Sequence, residues 1–200
     1  MYAPIFVLDL QTCYPIFRYP MIIKESQRIY LRDIKPSDTD AIFSYRSLND
    51  VAKYQYWKPY TREDALKFVE QCKDPDLNLR NEWIGLAVIL KNTDRLIGDC
   101  SIKMNDKNAE VGCNIAPEYQ HQGYAKEVLN LLLEICFNDS AIQEVSGIVD
   151  SENMTSIRLM ESVGMSKLPD YEERIICKGE WCVEHKYVIS ASDYRRITKS

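Results

Sequence analysis

Three apolar stretches, 83–90, 96–104 and 109–116, follow one another with only the polar connectors KNTDR and NDKN between them. Asn, Asp and Lys at such connectors favour tight reversals, so the stretches predict an antiparallel meander. Directly after the third comes PEYQHQGYAK at 117–126, and then a long pattern with Ala125, Val128, Leu129, Leu132, Leu133, Ile135 and Cys136 at helical spacing. A meander whose last strand passes through a one-glycine loop into an amphipathic helix leaves few architectures open. The helix has to return across the sheet that the meander builds.

The flanking segments complete that picture. RIYLRDI at 28–34 alternates apolar and polar residues, as a half-buried strand does. Ser37 with Asp40, and Thr61 with Asp64, predict helix starts ahead of AIFSYRSL and ALKFVEQC, with the aromatic KYQYWKPY connecting the two. After the long helix, 144–149 reads as a strand, 153–163 as a helix, and 174–177 and 181–189 as two strands around Lys178 and Gly179. The order predicts a single α/β domain with a mixed, mostly antiparallel sheet flanked by helices.

Composition narrows the function classes. The chain has 200 residues, 46% of them apolar, which suits one domain able to bury a sizeable core. With 25 basic and 30 acidic residues and a net charge of -5, no general field attracts nucleic acid. The seven cysteines contain no C-x-x-C pair, and only His121 and His185 are available to complete a metal set, so reduced thiols in a cytoplasmic protein without a metal site are expected. The apolar start MYAPIFVLDLQTCYPIFRYP has no basic leader, is broken by Pro4, Asp9, Pro15 and Pro20, and falls short of the roughly 18 residues a membrane span requires. It reads as part of an arm, 1–27, that packs on the domain or on a neighbouring subunit and so leaves a homodimer open. The domain is expected over 28–190, with 191–200 as a tail.

The loop at 117–126 carries the strongest functional signal. A strand that opens through a loop into a helix turns several backbone N–H groups outward at the positive end of the helix dipole, which makes an anion site. Gly123 lets the backbone come close to a ligand, and Ala125 keeps the first turn small. Neither G-x-x-x-x-G-K-S/T nor G-x-G-x-x-G is present, which excludes the common nucleotide loops.

QHQGYA at 120–125 matches the Q/R-x-x-G-x-G/A loop of the GCN5-related N-acetyltransferases, the GNAT superfamily. RIYLRDIKPSD, LIGDCSIK, AEVGCNIAPEYQHQGYAKEVL, DSENMTSIRLMESVGM and EWCVEHKYVIS follow in the order found in its ribosomal-protein alanine acetyltransferase branch. The resemblance spans about residues 28 to 190. It implies a splayed sheet, acetyl-CoA as acetyl donor, and an amine acceptor that is a protein N-terminus or a small molecule. It implies further that Asn114, Ile115 and Ala116 run beside the pantetheine arm. Gln120, His121, Gln122, Gly123, Tyr124 and Ala125 would hold the pyrophosphate, and Asn153 would lie beside the cofactor.

Acetyl transfer to an amine needs a neutral amine, a polarised carbonyl and support for the leaving thiolate. Many relatives carry a tyrosine as general acid one residue after the leucine of N-x-x-A/S-x-x-L, where this chain has Met160. Asn153, Ser156 and Met160 share a helical face, which makes Ser156 the candidate donor to the thiol sulfur. A hydroxyl bonded back to its own helix is the alternative for Ser156. Glu110 is the candidate base, since an inward carboxylate on a central strand has to be paired or wetted; an exposed strand glutamate is the alternative. Alternation puts Cys113 on the opposite face from Glu110, Gly112 and Asn114, as core. His185 and Tyr187 are secondary candidates, and Tyr54, Tyr56 and Trp57 are expected at the acceptor side. A non-catalytic acyl-CoA-binding module is the competing reading.

Overall fold

The computed structural model describes residues 22–199, so residues 1–21 of the expected arm, 1–27, lie outside them. The chain runs β1 (Ile22–Glu25), β2 (Ile29–Asp33), α1 (Thr39–Arg46), α2 (Asn49–Ala52) and α3 (Arg62–Gln71) into the meander β3 (Trp83–Leu90), β4 (Arg95–Met104) and β5 (Asn108–Ile115). Then come α4 (Tyr124–Asn138), β6 (Glu144–Asp150), α5 (Met154–Ser162), β7 (Ser166–Cys177), β8 (Glu180–Ser190) and α6 (Ala191–Thr198). The strands form one sheet in the order β1-β2-β3-β4-β5-β6-β8-β7. Among the described residues only β5 and β6 are parallel, and the crossover between them is α4.

β3 reads WIGLAVIL because it is covered on both faces, with every residue after Trp83 buried. On one face Val128, Leu129, Leu132 and Leu133 of α4 pack against Leu86, Val88, Cys100 and Val111 in the larger core. On the other, Ile42 and Tyr45 of α1 and Ala65 and Val69 of α3 cover Ala87, Ile89 and Ala116. Among the described residues no helix is long and apolar enough to cross a membrane.

Thr61 and Asp64 form the expected capping box: Thr61 Oγ1 accepts from Asp64 N at 3.2 Å, and Asp64 Oδ2 accepts from Thr61 N at 2.9 Å. Ahead of α1 the expected Ser37–Asp40 signal is not realised as a side-chain cap; Asp38, in the 3-10 turn Pro36–Asp38, anchors the entry instead. Asp38 accepts from Lys35 N at 2.8 Å and forms a bidentate pair with Arg32, an interaction that a serine hydroxyl cannot match.

β7 begins at Ser166 where 174 was expected, and two further segments lie beyond the expected bounds of the domain. Ile22–Glu25 pairs with β2, so four residues assigned to the arm are an edge strand; its four-residue length gave too little alternation to read. The expected tail holds α6, capped by Ser190, whose hydroxyl accepts from Asp193 N at 3.1 Å. Its Tyr194 stacks on Phe137 of α4 with ring centroids 4.8 Å apart.

The sheet opens where the site lies. β5 and β6 are in register only at Asn108–Glu144, Ala109–Val145 and Glu110–Ser146, after which β6 continues to pair with β8 alone. From Val111 to Ile115 no strand of the described residues lies along the β6-facing edge of β5. Buried Met160 of α5 closes the base of this fork, so near to β6 that a Cβ on Gly147 would come within 2.7 Å of its Cε.

Candidate active site

A groove of about 360 Å³ runs from the fork to the start of α4. Cys113, Asn114 and Ile115 of β5 form one side, and Asn153, Thr155, Ser156 and Leu159 from the start of α5 form the other. Gln120, His121, Gly123 and Ala125 close one end, and Asp50, Val51, Tyr54 and Gln55 come in from α2 and the connection after it. The volume suits an elongated small ligand.

The loop at the groove's end is a concave run of backbone. His121 and Gly123 both have left-handed backbones, with φ of 59° and 86°. Gly123 takes this conformation without strain, whereas His121 is held in it by its neighbours. Among the described residues no side chain caps α4, so the amides of Tyr124, Ala125 and Lys126 have no preceding turn to bond and face an open helix terminus. Alternating backbone handedness next to an uncapped helix start is the geometry of an anion nest. The glutamines shape it: Gln120 Nε2 donates to Ile115 O at 2.8 Å, and Gln122 Nε2 donates to Glu118 O at 2.9 Å.

Asn114 is held from the neighbouring strand, where Asp99 of β4 lies directly opposite. Asn114 Nδ2 donates to Asp99 Oδ1 at 3.3 Å, and Asp99 also accepts from Tyr45 Oη and from Arg46, whose Nε lies 3.0 Å away. Burial pulls the Arg46 guanidinium down in pKa, but the adjoining Asp99 carboxylate more than offsets it and keeps the group charged. Arg46 is boxed by Phe68, Trp57 and Tyr60, whose ring centroids lie 3.9, 4.8 and 5.1 Å from its Cζ. Sequence reading missed this network, although an aspartate inside the apolar stretch LIGDCSI was a visible signal.

The predicted site residues divide into groups. Asn114, Ile115, Gln120, His121, Gly123, Ala125, Asn153 and Ser156 come together on the groove. Ala116 is buried under α1 and α3, while Gln122 and Tyr124 flank the loop without lining the groove. Asn153 caps α5, its Oδ1 accepting from Ser156 N at 3.2 Å. Cys113, expected in the core, is half-buried and lines the groove, because the splay uncovers this part of β5. Burial, with the charge of Asp99 adding to it, pushes its thiol up to about 12, so it stays protonated at neutral pH.

Glu110 lies at the last paired position of the fork, outside the groove lining. It shares a sheet face with Lys103, Ser146 and, through the β6–β8 register, Lys186 and Glu184. Burial raises its carboxyl above the ordinary value; Lys186 and Lys103 pull it down, and Glu184 pushes it up again. Tyr56 crosses from the α2–α3 connection to donate to nearly buried Glu184 at 2.5 Å. Tyr187 is buried in the α4-side core, and His185, two residues away, shares that opposite sheet face, which separates both from Glu110. Tyr54 lines the groove, and Trp57 packs on Arg46 and on Tyr60 at 4.8 Å. Among the described residues no group of three metal-ligating side chains occurs.

The fold that carries this groove is shared with known proteins. The crystal structure of a GNAT-family acetyltransferase from Bacillus anthracis superposes with a TM-score of 0.73 at 26% identity, over 84% of this chain and 98% of that one. Spermidine N-acetyltransferase from Vibrio cholerae, solved in complex with CoA and spermine, has the same fold, with a TM-score of 0.69 at 20% identity over 84% of this chain and 98% of that one. In sequence, the chain is 28% identical over 171 residues to the uncharacterized N-acetyltransferase YnaD of Bacillus subtilis, covering 84% of this chain and 97% of YnaD. Residues 28–166 match the family described as the acetyltransferase (GNAT) domain, and with this motif order, splay and loop the chain belongs to the GNAT acetyltransferases.

Proposed function

We propose that the protein transfers an acetyl group from acetyl-CoA directly to a primary amine, on a protein N-terminus or a small molecule. The observation that carries this reading is the nest at His121 to Ala125, set at the end of an unpaired strand edge. Amides of residues 121–125 would hold the pyrophosphate, and the edge at Asn114, Ile115 and Ala116 would accompany the pantetheine arm. Gln120 and Gln122 would act by fixing the loop, and Asn153 by placing the first turn of α5 beside the ligand. Acetyl-CoA supplies the activated acyl group when bound.

Glu110 accepts the proton that the acceptor ammonium sheds, through a water chain, so that the nitrogen lone pair can form the new C–N bond. Ser156 donates a hydrogen bond to the sulfur as the C–S bond breaks. The protonated Cys113 thiol supports direct transfer over a thioester formed on the enzyme. That the Vibrio cholerae relative was solved with spermine supports a cationic small amine as one acceptor class to test.

A second reading, a non-catalytic acyl-CoA-binding module, is favoured by one observation: buried Met160 occupies the position of the usual tyrosine acid. Release of free thiol from acetyl-CoA separates the two. Acceptor-dependent release across peptides, polyamines and aminoglycosides is the result expected. Binding of acetyl-CoA without release above background for any acceptor would favour the binding module.

A further inference from the structure

Against the loop, but outside the groove lining, stands Arg28 at the turn between β1 and β2. Its Nη1 donates to the carbonyl oxygen of Gln122 at 3.0 Å. Its Nε and Nη2 both meet Glu127 in the first turn of α4, and the guanidinium lies over the ring of Tyr124, 4.4 Å from the centroid. Ser26 Oγ donates to the second oxygen of Glu127 at 2.8 Å. One side chain thus joins the residue before Gly123, the residue after it and the helix turn that follows. A Cβ on Gly123 would come within 3.2 Å of Arg28 Nη2, so the guanidinium is packed against the loop backbone itself.

The electrostatic effect is as direct as the mechanical one. A glutamate in a first turn suits an empty helix terminus but opposes an anion bound there. Arg28 neutralises Glu127 by a two-nitrogen contact that a lysine cannot reproduce in full. We infer that Arg28 is a positioning residue for the pyrophosphate loop: it holds Gln122, Gly123 and Tyr124 in the nest conformation and cancels the carboxylate that would otherwise repel the ligand. The inference rests on the reading that this loop binds the pyrophosphate of CoA.

The test compares wild type, Arg28→Met and Arg28→Lys by calorimetric titration with CoA and by thiol-release kinetics on one accepted amine. Loss of charge-assisted contacts to the loop should weaken CoA binding and raise the KM for acetyl-CoA about tenfold in Arg28→Met, with Arg28→Lys in between. The kcat and the KM for the amine should stay near wild type, because neither depends on the loop once it is filled. Wild-type CoA affinity in a folded Arg28→Met protein would overturn the inference. So would equal damage to the donor KM, the amine KM and kcat, which would signify general loosening of the fold. If wild type itself fails to bind CoA, the loop reading fails first.

Discussion

Asn114 Nδ2 donates to Asp99 Oδ1 at 3.3 Å, which ties the open end of β5 to a buried carboxylate directly across from it on β4. Because Asp99 also answers Arg46 and Tyr45, the strand edge beside the groove and the helix on the acceptor side rest on one charge network. Replacing Asp99 by Asn would leave the buried Arg46 charge without its counter-ion. Truncating one partner of a buried pair costs about 3–5 kcal/mol, and Asp99→Asn should approach that range. Urea unfolding of the variant against wild type checks this; a loss below about 1 kcal/mol would show that the pair is effectively solvated.

Gly98 is the close-approach point of β4 and β5. A Cβ there would fall 2.2 Å from the carbonyl oxygen of Asn114, a backbone atom with no side-chain freedom to yield. Gly98→Ala should therefore force the strands apart at the groove and cost about 1–3 kcal/mol. Chemical denaturation measures the loss, and a parallel drop in CoA affinity is expected because the displaced segment borders the groove.

The regular parts of this fold were legible in the sequence, and the reasons are local. The meander, α4 and the Gly123 loop each rest on periodicity or turn chemistry within about fifteen residues. The motifs at 120–125 and 153–165 were enough to indicate the family. What stayed hidden depends on contacts between distant segments: Arg28 with Glu127, Arg46 with Asp99, Tyr56 with Glu184. Periodicity reports which face a residue takes but not which charge meets it there. Alternation separated Cys113 from Glu110 correctly, yet it gave no sign that splaying would uncover the cysteine.

Glu110 supplies a pH test. Its carboxyl is raised chiefly by burial, so the carboxylate needed as base is lost at a higher pH than for an exposed glutamate. The acid limb of kcat/KM should accordingly lie above that of an exposed glutamate, and Glu110→Gln should abolish that limb and lower kcat on the order of 100-fold at neutral pH. Ser156→Ala should lower kcat roughly tenfold, since water can replace a hydroxyl hydrogen bond. The stability sign follows from the same shift. Wild type takes up a proton more readily folded than unfolded, so it gains stability as pH falls through the raised folded pKa and loses that gain as pH rises. Glu110→Gln should therefore be more stable than wild type at neutral pH, by a margin that shrinks in acid, as thermal unfolding at several pH values would show.

The central claim is that the loop around Gly123 binds the pyrophosphate of acetyl-CoA through backbone amides, and calorimetric titration of CoA into wild type and Gly123→Asp tests it most directly. Aspartate there must adopt a left-handed backbone, its Cβ would crowd Arg28 Nη2 at 3.2 Å, and a second carboxylate beside Glu127 would lower the positive field of the helix terminus, where attraction for an anion is worth on the order of 1 kcal/mol or more. Saturable binding to wild type, weakened at least about tenfold in a folded Gly123→Asp protein, is the predicted result. Equal affinity in the two folded proteins would contradict the claim.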